Sequence, residues 1–216
     1  MRNRLQTIAA LALGLSLPST RLAAQGVSVA GFETDGSVGL TRDEYDALGR
    51  ALSALLSAEV GGSAALAVDP VSTVRAGRVD VGAARAAAAK AGAKVLVVGT
   101  LLDQYGDIHV EARVLNATTG EPIAVVRGNP ALVKREQLAE AIADLADRIA
   151  RQPAVGATRT SIPRGSVPVA ALVQFGRGLR FEDAGNRAKA AEAYRAAVKA
   201  APGFTEATAA LGRVGG

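Results

Sequence analysis

Between Lys94 and Val126 the chain changes its hydrophobic period, and the change predicts a local architecture. Val95 to Val98 is an uninterrupted apolar run, the pattern of a strand covered on both faces. From Asp107 to Val114 the pattern alternates. Ile108, Val110, Ala112 and Val114 fall on one face of a strand, with Asp107, His109, Glu111 and Arg113 on the other, which is solvated. Asn116 to Glu121 (NATTGE) carries turn chemistry, and Pro122 to Val126 returns as a partner strand, so a buried strand is followed by an antiparallel meander.

The same reading extends along the chain. Gly26 to Glu33 alternates as a strand, and Thr34 to Gly39 is a loop. Thr41 and Glu44 stand at capping-box spacing with Leu40 and Tyr45 at the staple positions, which predicts a helix carrying Tyr45, Leu48, Leu52 and Leu55 and ending at Gly61-Gly62. Ala64 to Val68 reads as a short strand stopped by Asp69-Pro70. A weakly patterned connector leads to Asp80, a candidate N-cap for the alanine-rich Gly82 to Ala91 helix. Asn129-Pro130 carries an N-cap followed by proline in the first turn, ahead of a closing helix with Leu138, Ile142, Leu145 and Ile149 in one stripe. Strands alternating with helices and then a meander imply an α/β fold, α+β-like, with a mixed sheet covered by helices. Gln152 to Val167, with two prolines, two glycines and no apolar period, reads as a linker, and a further helical segment follows.

Composition adds the compartment. Arg2 and Arg4 precede an apolar run from Ile8 to Leu17, closed by Leu22-Ala23-Ala24, the pattern of a cleaved secretory signal peptide over residues 1–24. The run is shorter than the roughly 20 residues of a spanning helix, so no integral membrane segment is expected after cleavage. With Cys 0, neither lipidation at the mature end nor a disulfide framework is available. The expected location is periplasmic or secreted. Removing residues 1–24 takes away three arginines and no acid, leaving 22 basic side chains against 20 acidic. Those arginines are scattered and aromatics make up only 3%, so no nucleic-acid surface is expected, and the core must be built from Ala, Val and Leu.

Two stretches resemble known families. Val27 to Glu33 (VSVAGFE), Ala64 to Pro70 (AALAVDP), Ala91 to Thr100 (AGAKVLVVGT) and Thr118 to Glu121 (TTGE) resemble, in order and spacing, the bacterial envelope domain shared by CsgG-like curli-transport lipoproteins, FlgO-like flagellar proteins and the amino-terminal domain of TolB. Gly31 departs from it, standing where that family usually has proline. The resemblance spans about residues 26 to 150. The C-terminal segment resembles a tetratricopeptide (TPR) repeat: Gly178, Gly185, Ala190, Ala197 and Pro202 recur at small or turn positions, with Phe181 and Tyr194 as larger packing residues. Ala171 to Gly185 and Asn186 to Ala201 would form the hairpin and Thr205 to Val214 a capping helix. Gln174 and Arg177 stand at positions that are usually apolar. The implied organisation is a signal peptide (1–24), a CsgG/TolB-N-like α/β domain (25–151), a linker (152–167) and an all-α repeat (168–216). So short a repeat requires a surface to dock on.

Catalytic patterns are thin. There is no P-loop, dinucleotide fingerprint or nucleophile elbow, and a single His. His109 with Asp107 and Glu111 could be drawn as a metal site, but a solvated strand face explains them, and no metal or cofactor is expected. Asp43, Glu44 and Asp46 are accounted for by the first turn of a helix, and Asn116-Ala117-Thr118 by turn chemistry. The resemblances imply a non-enzymatic exported protein that binds protein partners in the cell envelope, whether or not it oligomerises. The alternative is a subunit of a curli-transporter-like outer-membrane secretion complex, and an enzyme with unfamiliar residues would be a third reading. The repeat's concave positions nominate Leu172, Phe175, Leu179, Glu182 and Asp183 as a partner-binding face, with an apolar patch edged by two carboxylates. Against it stands a plainer arrangement in which this face folds back onto the α/β domain or completes the repeat's own core.

Overall fold

The computed structural model describes residues 26–61, 65–66, 73–155 and 166–215. In chain order the elements are β1 (Val27–Glu33), α1 (Arg42–Gly61), β2 (Ala65–Leu66), β3 (Val74–Arg75), β4 (Arg78–Val79), α2 (Val81–Lys90), β5 (Val95–Gln104), β6 (Asp107–Asn116), β7 (Pro122–Lys134), a 3-10 turn (Arg135–Gln137), α3 (Leu138–Ala150), α4 (Val169–Asp183), α5 (Arg187–Ala200) and α6 (Thr205–Val214). Residues 1–24 and most of the expected linker lie outside the described residues, as does Asp69-Pro70.

A mixed sheet in the order β2-β1-β5-β6-β7 forms the centre. β1 runs parallel to both β2 and β5, and β5, β6 and β7 form the antiparallel meander that the sequence predicts. β5 is buried on both faces along its first half, and Ile108, Val110, Ala112 and Val114 of β6 all point into the main core. α1 and α3 cover that face. On the opposite face α2 covers a smaller patch in which Ala84 and Ala88 meet Ala30, Leu96, Val98 and Leu115. Alanines on α2 let helix and sheet approach closely.

The helix starts follow their local chemistry. The Thr41 backbone N–H donates to Glu44 Oε2 at 2.8 Å and the Glu44 N–H to Thr41 Oγ1 at 3.4 Å, completing the capping box. Asp80 caps α2 by accepting from the Ala83 N–H at 2.9 Å. Asn186 does the same for α5 through the Lys189 N–H at 3.1 Å.

Three expectations are corrected. Asn129-Pro130 does not open a helix: β7 runs through it to Lys134, and α3 begins at Leu138. β7 is an edge strand, so a proline there interrupts no ladder on its outer side. The connector before Asp80 contains a two-stranded hairpin, β3–β4, turning at Ala76 and Gly77, both with positive φ. Its seat explains Gly31, because a Cβ there would lie 2.6 Å from Val74 Cγ2. β5 is also longer than the apolar run implied, reaching Gln104 before Tyr105-Gly106, both at positive φ, turn the chain into β6.

The C-terminal helices are joined to the sheet by one continuous apolar core, which runs from Val29 and Val97 through Leu48 and Leu52 of α1 to Leu172, Phe175, Tyr194 and Phe204. Val155 and Val167, at either end of the expected linker, are buried in it. α4 lies against α1 so closely that a Cβ on Gly176 would fall 1.8 Å from the Ala47 carbonyl oxygen. α1 is therefore the neighbour that the short helical array requires.

That approach yields a stability prediction. Gly176→Ala should cost about 3 kcal/mol in urea denaturation, the upper end of overpacking effects, because the atom it meets is backbone. Gly212→Ala, exposed within α6 with nothing within 4 Å of its missing Cβ, should gain about 0.5–1 kcal/mol. Equal effects of the two substitutions would contradict the close crossing.

Candidate functional site

The five residues nominated by the repeat pattern do not form an open groove. Leu172, Phe175 and Leu179 are buried, at 0%, 4% and 7% exposure. The Phe175 ring packs edge-on against Phe204 at 4.9 Å and lies 5.9 Å from Tyr194, so it completes the core of the helical array itself. Gly178 leaves the space that the Tyr194 ring fills, as a Cβ there would sit 2.3 Å from it. Glu182 accepts a hydrogen bond from the Tyr194 hydroxyl at 2.5 Å and faces Arg213 at 3.2 Å. Burial, with Glu182 adding to it, pushes the Tyr194 phenol far above its ordinary value. Asp183 receives two hydrogen bonds from Arg50 of α1, at 2.8 and 3.1 Å. The plainer arrangement is the observed one: the apolar positions fill the core, and both carboxylates are engaged within the chain.

An ion pair between α1 and α4 accounts for Arg177, one of the two polar departures on α4. Arg177 and Arg180 both donate to Asp43, at 3.0 and 2.8 Å. Asp43 is thus more than a dipole complement for α1, since it ties the first turn of that helix to α4. The hydrogen bond from Arg180, reinforced by Arg177 and opposed by desolvation, holds its carboxyl below the ordinary value of 3.8.

Next to this seam is a cavity of about 350 Å³, within the size range of small-molecule sites. It opens between the carboxyl end of β1, the middle of α1, the β3–β4 hairpin and the end of α4. Phe32, Tyr45, Val74, Ala76 and Ala184 give it an apolar lining, while Thr34, Asp46, Arg50, Ser53, Arg180 and Asp183 bring polar groups. Phe32 is seated over Gly99, where a Cβ would come within 2.5 Å of the ring. The Tyr45 hydroxyl donates to the Val38 carbonyl at 2.6 Å, and burial followed by the nearby Asp103 raises its pKa. Asp46 pairs with Arg42 at 3.2 Å, and the Ser53 hydroxyl donates to the Gly49 carbonyl at 2.8 Å. Thr34 is 2% exposed, and its Oγ1 has no hydrogen-bond partner. No sequence motif marks these residues, because four separated segments contribute them.

The second open feature is the sheet face beyond α2. Glu33 pairs with Arg113 at 2.9 Å, and Glu111 with Arg127 at 3.3 Å and with His109 at 3.4 Å. His109 Nδ1 lies 3.0 Å from the Ala131 carbonyl, and Asp107 pairs with Lys134. Among the described residues no group of three or more His, Cys, Asp and Glu is arranged to hold a metal. Beside these pairs Ile123, Val125 and Leu132 of β7 stand exposed at 45%, 50% and 62%.

The Asp43 tie carries a pH dependence with a definite sign. A carboxyl whose folded pKa is depressed stabilises the fold above its unfolded pKa, and that contribution is lost as pH falls through the folded value. The urea midpoint should therefore drop between about pH 5 and pH 2.5, and Asp43→Asn should drop less over this range, since its own contribution is already gone. A variant as acid-sensitive as the parent would remove Asp43 from the account. Phe175→Ala should cost on the order of 3–5 kcal/mol in the same assay.

No family model matches the chain, and no curated protein matches it. Among solved structures, the chain is similar to the LpoB C-terminal domain from Salmonella enterica, at 11% identity and a TM-score of 0.28, over 51% of this chain and 83% of that one. A likeness that slight carries no weight for fold or function.

Proposed function

We propose that the chain is a non-enzymatic, exported protein-interaction or envelope-assembly protein, docking its partner along β7. The observation that carries this reading is the exposed aliphatic row Ile123, Val125 and Leu132 on the edge strand of the sheet. Its order-and-spacing resemblance to the CsgG, FlgO and TolB amino-terminal domains and its signal-like first 24 residues support the compartment. The C-terminal helices, read as a TPR-like array, then serve as a prop for α1, with their concave positions spent on the core.

The form of the edge narrows the partner. From Ala124 to Arg127 β7 pairs regularly with β6; the register is shifted between Leu115↔Pro122 and Val114↔Ala124, and it jumps again from Glu111↔Arg127 to His109↔Leu132. The irregular stretch and Pro130 blunt the second half of the edge against indiscriminate pairing. The first half is left as a short template for an added strand. Within Pro122–Lys134 the charged side chains are Arg127 and Lys134, with no acid. The partner that fits is an extended segment of another envelope protein, alternating apolar with acidic residues. No helix among the described residues is long and apolar enough to cross a membrane.

A photo-crosslinking residue placed at Val125 in exporting cells should yield one discrete adduct, and the same residue at exposed Lys199 should yield none. Combining Val125→Asp with Ile123→Asp should abolish capture of the same partner at Leu132 while changing stability by no more than about 0.5 kcal/mol, as expected for exposed positions. Adducts at Lys199 as abundant as at Val125 would sink the β7 reading.

A further inference from the structure

We infer that the cavity between the end of β1, α1 and α4 is a binding site for a small carboxylate carried on an apolar body, a site distinct from the β7 edge. The topology places it where such sites arise. β1 is flanked by β2 and by β5, both parallel to it; the chain leaves β1 through α1 on one face and reaches β5 through α2 on the other. A reversal of that kind opens a crevice beyond the carboxyl ends of the strands, which the intervening helices do not fill. Here β1 ends with Phe32 and Glu33, Thr34 follows it, and α4 roofs the space on the α1 side.

The hydrogen-bond inventory selects the ligand's head group. The carboxylates near the cavity already accept from guanidinium groups: both oxygens of Asp183 from Arg50, both oxygens of Asp43 from Arg177 and Arg180, and Asp46 from Arg42. The guanidinium groups are not used up. Each has five N–H donors; Arg50 commits Nε and Nη2 to Asp183, and Arg180 commits Nη1 to Asp43. The Thr34 hydroxyl, buried and unpartnered, can donate or accept and does not choose between them, so the unmet capacity that selects a ligand is that of the arginine N–H groups, which call for an acceptor. Charge sets how much of one. Arg50 and Arg180 balance Asp46 and Asp183 along the lining, so the site has no excess positive charge to hold a phosphate dianion, whereas a single carboxylate can share the free edges of the two arginines.

The rest of the lining selects the body. Phe32, Tyr45, Val74 and Ala76 present rings and methyl groups, and a volume of about 350 Å³ admits an aliphatic or aromatic group of amino-acid size. The shared chemistry is an apolar α-carboxylate, found both in a free acylated amino acid and at the C-terminus of a peptide.

The full chain, 15N-labelled, should be titrated with N-acetyl-leucine, with N-acetyl-leucine amide, and with the tripeptide Ala-Ala-Leu as free acid and as amide. Amide shifts from N-acetyl-leucine should concentrate in residues 32–34, 45–53, 74–76 and 180–184, and its amide should bind at least about ten-fold more weakly, the loss expected when a charge-assisted pair is removed. Tighter binding of the tripeptide acid than of N-acetyl-leucine identifies a peptide end as the source, and the reverse order identifies a free acid. Ala184→Phe, at an exposed position on the rim, should block both acids without lowering the melting temperature, so that loss of binding is separable from loss of folding. Arg180→Gln should weaken the acids and leave the amides unchanged. Equal binding of acids and amides, or shifts confined to residues outside the cavity, overturns the proposal, as does binding that survives Ala184→Phe.

Discussion

The structure depends on one close approach, the crossing of α1 and α4 at Ala47 and Gly176. A hydrophobic seam between two helices ordinarily leaves 8–10 Å between axes, set by the side chains in contact. Replacing a side chain by hydrogen at Gly176 brings backbone against backbone, so packing there tolerates no rearrangement. The last three helices, α4 to α6, are positioned through it. The paired charges on either side, Asp43 with Arg177 and Arg180, and Arg50 with Asp183, are partly exposed and add little energy individually. Their role is registration, since they hold α4 at one rotation about its axis while Gly176 sets its distance.

α1 consequently packs on three sides, with its remaining side facing the cavity. One face meets β1 and the sheet, another meets α3 and a third meets α4, and Ala47, Leu48, Ala51, Leu52, Leu55 and Leu56 are all at 0–1% exposure. A helix with this much of its surface buried belongs to the interior of a larger unit. The repeat-like helices are thus part of the same core as the sheet. This arrangement also leaves a cavity: α4 ends at Asp183 just where β1 ends at Glu33, and the β3–β4 hairpin closes only part of the gap between them.

How much of this could be read from residues alone follows from which signals were strong. The meander, the capping box of α1, the Asp80 cap and the inward face of β6 were legible because alternation and caps are local. The three helices from Val169 onward were legible through spaced small residues, and Gly178 against Tyr194 shows why that spacing works. The second face of α1 was not legible, because Ala47 and Ala51 are equally at home inside and outside, and only the leucine stripe stood out. The binding face assigned to Leu172, Phe175 and Leu179 failed for a related reason. A repeat pattern states which residues face the concave side but not whether other helices fill it, and Phe204 and α1 do. The β3–β4 hairpin and the 350 Å³ cavity carried no signal, since each depends on segments brought together only by the fold.

The Ala47–Gly176 contact joins residues far apart in sequence, and this bears on the order in which the chain acquires its structure. During synthesis α1 emerges early and α4 late, so the alanine face of α1 has no cover until almost the whole polypeptide has been made. Contacts of such long sequence separation form slowly, because a large loop must close before they contribute. In the interval the newly made sheet and α1 present a small-residue surface on which another chain's helix could lodge. A chaperone that shields that surface would keep the seam for its own α4.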